Sequence, residues 1–183
     1  MAKNTHLEHL EDDIFNSGTA GVTNSINFLK SLRDMLTEGD GGTPMKVTTK
    51  WDGAPSIVFG TNPQNGKFFV GTKSVFNKIR IKINYSVDDI VENHEGEVAQ
   101  ILTACFYALP RTKGIVQADF IGFGGHTVYQ PNTIMYTFPK VIHQDIIIAP
   151  HTAYNEVSSW ADAIYGVKLQ STDTCYCIDT STN

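Results

Sequence analysis

The 183-residue sequence predicts an α+β fold, an antiparallel sheet with helices inserted and an N-terminal helical cap. Three observations carry that expectation. Apolar residues before residue 40 recur at helical spacing, and after Pro44 they shift to extended runs bounded by turn residues. Beyond that point one strongly amphipathic helix sits between strands, without the β-α-β alternation of a parallel sheet.

The elements follow in order. Thr5-His6-Leu7-Glu8 has the form of a capping box, and Leu7, Leu10 and Ile14 then share a helical face up to Gly18. A second helix is expected from Val22 to Leu36, with Val22, Ile26, Leu29, Leu32 and Leu36 on one stripe, ended by Gly39-Asp40-Gly41-Gly42. These helices make a cap over residues 1–44, and residues 45–170 form the core. Strands are expected at Met45 to Lys50, Ser56 to Gly60 and Lys67 to Gly71, the last two joined by the turn Asn62-Pro63-Gln64-Asn65-Gly66. Ser86-Val87-Asp88-Asp89 opens a helix, and Glu97 to Leu109 is an amphipathic helix stopped by Pro110. Strands resume at Gly114 to Gly122, Asn132 to Phe138 and Asp145 to Ala149, followed by a short helical segment near Ser158 to Tyr165. The Ser/Thr-rich tail, residues 171–183, has a composition that leans toward disorder.

Composition limits the function classes. A 41% hydrophobic, 18% charged chain of this length can bury a core, and no apolar run reaches membrane-span length. A soluble, cytoplasmic protein is expected. Cys105, Cys175 and Cys177 form neither a disulfide framework nor a zinc knuckle and are read as reduced thiols. A net charge of −5 argues against a surface that is basic throughout. Locally, however, Lys67, Lys73, Lys78, Arg80 and Lys82 occur without an intervening acid and with Phe68, Phe69, Phe76 and Tyr85 interleaved or adjacent. That strip suits a nucleic acid or, equally, a pair of solvated strand faces. No P-loop, no His-Glu-x-x-His and no dinucleotide fingerprint is present; Gly122-Phe123-Gly124-Gly125 leads into extended chain. The scattered His126, His143 and His151 read as surface or hydrogen-bonded core residues.

The most informative stretch is Lys50-Trp51-Asp52-Gly53-Ala54-Pro55-Ser56. By itself Lys-x-Asp-Gly is a turn signal. Three further features follow it: Gly71-Thr72-Lys73-Ser74, then Gln117-Ala118-Asp119-Phe120-Ile121, then Thr133-Ile134-Met135-Tyr136-Thr137-Phe138. Together they resemble the covalent lysine nucleotidyltransferases, the superfamily of ATP-dependent DNA ligases, RNA ligases and capping enzymes, over about residues 45–140. The match is nearest to the RNA-ligase branch and to compact phage-type members.

The resemblance implies an ATP-grasp-like ligase nucleotidyltransferase core. In it Lys50 attacks the α-phosphate of ATP, forms a lysyl-AMP intermediate and passes AMP to a polynucleotide 5′ end. Lys73 takes the place of a basic nucleotide-contacting residue. Asp119 stands for the carboxylate that helps hold ribose and Mg²⁺, and Tyr136 or Phe138 for the ring that stacks on adenine. Gly53 lies in the nucleotide-binding motif; Asp52 orients the ribose or the lysine, or simply makes the turn. Lys67, Lys78, Arg80 and Lys82 would follow the RNA or DNA. A lysine attacks only as the neutral amine, so Lys50 is expected in a desolvated pocket walled by residues such as Val58, Phe69 and Phe138.

The chain departs from the family pattern downstream. The Glu-Gly of motif IV is not evident, because the only later glutamate, Glu156, precedes Val157. For the Lys-x-Lys of motif V there are Lys140 and Lys168, with Gly166-Val167-Lys168-Leu169 as half a match. Two alternatives remain beside the enzyme: a nucleotide- or nucleic-acid-binding remnant, or a phage structural or assembly protein on the same scaffold. A protein partner that supplies the missing motifs is also compatible.

Overall fold

The computed structural model describes residues 9–38, 49–158 and 161–180. They belong to two compact units, a helical one and a sheet-containing one. The expected capping box at Thr5–Glu8, the glycine stop at 39–42 and the boundary at residue 44 lie outside the described residues.

The helical unit is a hairpin of α1 (Leu10–Ser17) and α2 (Thr19–Glu38). Within the described residues its first helix begins at Leu10. His9 is the cap, and its backbone N–H donates to the Asp12 carboxylate at 2.9 Å. Gly18 makes the reversal at φ 57°, a conformation glycine adopts without steric cost. The helices touch through small residues. A side chain at Gly21 would meet the Asp13 carbonyl oxygen at 1.9 Å, and Ser25 Oγ donates to Leu10 O at 3.1 Å. The Val22, Ile26, Leu29 and Leu36 stripe is not buried by the hairpin itself.

The second unit is α+β. Its elements are β1 (Ser56–Thr61), β2 (Phe68–Thr72), a 3-10 turn at Lys73–Phe76, α3 (Val87–Asn93), α4 (Gly96–Ala108), β3 (Ile115–Phe123), β4 (Val128–Tyr129), β5 (Tyr136–Thr137), β6 (Ile146–Tyr154), β7 (Ala163–Tyr165) and β8 (Cys175–Cys177). The main sheet runs β2-β1-β3-β6-β7, all antiparallel, with β8 added parallel to the first three residues of β6. β4 and β5 form a separate ribbon.

Local chemistry explains most boundaries. Asn62 Oδ1 accepts from Gln64 N, and Gly66 at φ 69° closes the β1–β2 turn. Ser86 and Asp89 exchange side-chain and backbone hydrogen bonds to start α3. Pro110 follows α4, where its ring cannot continue the helix. One face of the sheet packs on α4 through Ile57, Phe59, Val116, Ala118, Phe120, Ile146 and Ile148, which meet Ile101, Leu102 and Cys105. The other face carries two apolar clusters, around Val58, Phe69, Phe76 and Tyr154 and around Ile121, Tyr129, Ile147 and Ile178.

Several expectations are corrected. Thr49 and Lys50 are not in a strand; they belong to an irregular segment held by Thr49 N–H donating to Thr180 O at 2.9 Å. The strand expected over 132–138 shrinks to two residues. The helix expected near 158–165 is replaced over 163–165 by β7, because Ala163, Ile164 and Tyr165 find open backbone groups on β6. The tail is not disordered over 171–180. β8 pairs with β6 and delivers Cys175 into the core with no exposed surface, so burial outweighs its polar composition. All three cysteines are free and buried.

Candidate functional site

The Lys50–Pro55 segment lies against the middle of β3 and leads directly into β1. Gly53 permits this: a side chain there would come 2.3 Å from Phe120 O and 3.0 Å from Asp119 Cβ. Two backbone hydrogen bonds fasten it, Ala54 N–H to Phe120 O at 2.9 Å and Phe120 N–H to Pro55 O at 3.0 Å. The Ala54–Pro55 peptide is cis.

The segment's other side is held by residues from 132–138. Asp52 N–H donates to the Tyr136 hydroxyl at 2.8 Å, and Asn132 Nδ2 donates to Asp52 O at 2.9 Å and Asp52 Oδ2 at 2.8 Å. Trp51 packs on Tyr136, with centroids 4.6 Å apart, and stacks on Phe138 at 5.9 Å. Both rings expected to receive adenine are therefore covered by this chain's own tryptophan. Lys50 also departs from expectation. Its side chain is 57% exposed and its Nζ is 3.2 Å from Asp52 Oδ1, in water and beside a carboxylate instead of in an apolar pocket. Val58 and Phe69 are fully buried in the sheet core and do not wall the amine.

Asp119 is set more deeply, with its side chain 13% exposed. It faces His151 of β6, whose Nε2 is 3.8 Å from Asp119 Oδ1. That meeting is produced by irregular pairing. Gln117 pairs with Thr152 and Ala118 with Pro150, so His151 is an extra residue; Phe120 pairs with Ile148 and Gly122 with Ile147, so Ile121 is extra on β3. Such insertions re-aim side chains and sharpen local twist. His151 Nδ1 lies 2.7 Å from Thr152 Oγ1.

The structure thus brings Asp52, Gly53, Asp119, Tyr136 and Phe138 to one region around the Lys50 segment. Lys73 is exposed and begins the 3-10 turn that follows β2. The basic strip is less suited to nucleic acid than its sequence suggests. Lys67, Lys78 and Arg80 are exposed, but Lys82 Nζ donates to Asn93 O at 2.6 Å, at the C-terminus of α3. Phe69 and Phe76 are buried, Tyr85 is hydrogen-bonded to Asn62, and Arg111 covers Phe68 at 3.9 Å, so these rings are not free to stack on bases. Lys168 of the half motif V pairs with Asp179.

Sequence reasoning missed Asn132 and His151. Asn132 stands in a Pro-Asn turn with no local sign that it caps a segment 80 positions away. His151 depends on a pairing irregularity that side-chain alternation does not reveal.

No curated protein and no solved structure matches the chain. The model of a family of unknown function, DUF6267, matches residues 4–183. The chain belongs to that family.

Proposed function

We propose that the sheet unit is a ligase-type adenylyltransferase core that uses Lys50 as its nucleophile. The observation that carries this reading is the docking of the Lys50-x-Asp52-Gly53 segment on the middle of β3, beside Asp119. Lys50-x-Asp52-Gly53 and Asp119, far apart in sequence, meet there, and the resemblance to covalent lysine nucleotidyltransferases on an ATP-grasp-like core supports the reading.

The step would run as follows. Lys50 Nζ loses its proton, its lone pair bonds to the α-phosphorus of ATP, and the bond from that phosphorus to the α–β bridging oxygen breaks, with pyrophosphate leaving with the electron pair. AMP then passes to the 5′-phosphate of a nucleic acid strand, RNA or DNA, which the exposed Lys67, Lys73, Lys78 and Arg80 would attract. The exposed ammonium must be desolvated for this, and a bound nucleotide that covers it supplies the means.

The donor set fits Mg²⁺ that arrives with the nucleotide. That ion takes one or two protein carboxylates and fills its shell with phosphates and water. Asp119 would hold it, and it would neutralise phosphate charge there. Among the described residues no group of three or more His, Cys, Asp or Glu forms a metal site, so a resident ion is not part of the proposal.

A second reading, nucleotide binding without turnover, is favoured by the solvent-facing Lys50 and by Trp51 lying over Tyr136 and Phe138. Incubation with ATP and Mg²⁺ followed by intact mass spectrometry separates the two. An AMP adduct that Lys50→Ala abolishes supports the enzyme. Protection against thermal unfolding by ATP without an adduct supports the binding protein, and neither signal refutes both.

A further inference from the structure

A buried hydrogen-bond relay ends beside Asp119, and its polarity can be deduced. Tyr154 on β6 is 4% exposed, and its ring packs on Phe76 at 4.5 Å. Its hydroxyl lies 2.7 Å from Gln117 Oε1 on β3, and Gln117, itself 3% exposed, reaches Ser56 Oγ on β1 at 2.9 Å. Burial pushes the Tyr154 phenol up to about 12, with Tyr165 nearby adding to the shift, so it keeps its proton.

A buried hydroxyl proton needs an acceptor, and for Tyr154 that acceptor is Gln117 Oε1. The Gln117 amide therefore turns its NH2 toward Ser56. Ser56 Oγ accepts that bond, which leaves the Ser56 proton to be donated elsewhere. Ser56 Oγ donates no hydrogen bond to any of the described residues. Ser56 pairs with Asp119 in the β1–β3 register, and paired residues share a sheet face. Three strands thus set one outward donor next to one carboxylate.

We infer that Ser56 is a positioning residue for a nucleotide: its hydroxyl donates to a phosphate or ribose oxygen while Asp119 accepts from a ligand hydroxyl. Tyr154 and Gln117 act through Ser56 by fixing its proton direction. The inference rests on the adenylyltransferase reading and adds to it a residue for substrate recognition. Without Tyr154 the Gln117 amide can flip and accept from Ser56, so the outward donor is lost while Ser56 stays in place.

The test is calorimetric titration of the full chain with α,β-methylene-ATP and Mg²⁺, an analogue whose α–β bridge resists cleavage. Wild type, Ser56→Ala, Tyr154→Phe and the double variant are compared, with melting curves to verify folding. Each single variant should bind about 5- to 10-fold more weakly, the effect of one hydrogen bond. The double variant should be no weaker than Ser56→Ala alone, because both changes remove the same donor. Ser56→Thr, which keeps the hydroxyl, should retain affinity. If Ser56→Ala does not fold, Tyr154→Phe alone decides the matter. Equal binding by folded variants, or additive losses, overturns the inference while an AMP adduct on Lys50 would leave the proposed function standing. A wild-type chain that binds no analogue and forms no adduct removes both.

Discussion

Gly53→Ala probes the contact on which the candidate site is built. The new Cβ would fall 2.3 Å from a carbonyl oxygen and 3.0 Å from Asp119 Cβ, whereas ordinary carbon contacts begin near ~3.4 Å. The obstructing oxygen is backbone and cannot rotate aside. Either the segment lifts and loses the two hydrogen bonds that join Ala54 and Pro55 to Phe120, each contributing about 1 kcal/mol, or β3 distorts at an overpacking cost of about 1–3 kcal/mol. The two routes together span a destabilisation of about 1–3 kcal/mol. For a chain of this size that lowers the melting temperature by about 2–12 °C. Differential scanning calorimetry and urea titration measure it, with Gly114→Ala as the control, since nothing lies within 4 Å of a side chain built at Gly114. An unchanged melting temperature and urea midpoint for Gly53→Ala would refute the close docking of the Lys50 segment on β3.

Other consequences follow from single contacts. Lys50→Ala should shift the melting temperature by no more than about 2 °C, because an exposed ion pair contributes little, and a large loss would show a structural role. Tyr136→Phe removes the hydroxyl that accepts from Asp52 N–H, at a cost of about 1 kcal/mol in urea titration; no change would place the Asp52 anchor on Asn132 alone. His94 is held below the usual histidine range by burial and then by Lys82, and its buried Nε2 has no hydrogen-bond partner among the described residues. The unfolded chain therefore binds a proton more readily than the folded one. This contribution is fully present above about pH 6.5 and is lost as pH falls through the unfolded and then the folded value. His94→Gln should flatten the decline in urea midpoint between pH 7.5 and 5.5, and an unaltered slope would assign it to other groups. Burial pushes the Cys105 thiol up, and a hydrogen bond to Cys177 together with burial does the same for Cys175. Both should ignore a thiol-specific reagent until urea unfolds the chain; rapid labelling of the native protein would contradict their burial.

Elements governed by neighbours in sequence were readable without coordinates. The Ser86–Asp89 exchange, the Asn62–Gly66 reversal and the Pro110 stop are each determined within a few residues, and β1, β2, β3 and α4 fall within a residue or two of their expected limits. The Lys50-x-Asp52-Gly53 motif and its distant companions are an expectation drawn from the sequence as a set. Their arrangement could not be read from it. Trp51 over Tyr136 and Phe138, Asn132 on Asp52, and His151 beside Asp119 join positions tens of residues apart, and two register slips in the β3–β6 pair decide which side chains meet. β7 and β8 show the same limit: their residues look helical or disordered alone and become strands because β6 offers unpaired backbone groups and a core that accepts Cys175. Local hydrogen bonding and apolar periodicity are properties of the sequence. Strand partners, bulges and the exposure of Lys50 depend on how distant segments compete for the same buried surface, and only the folded chain resolves that competition.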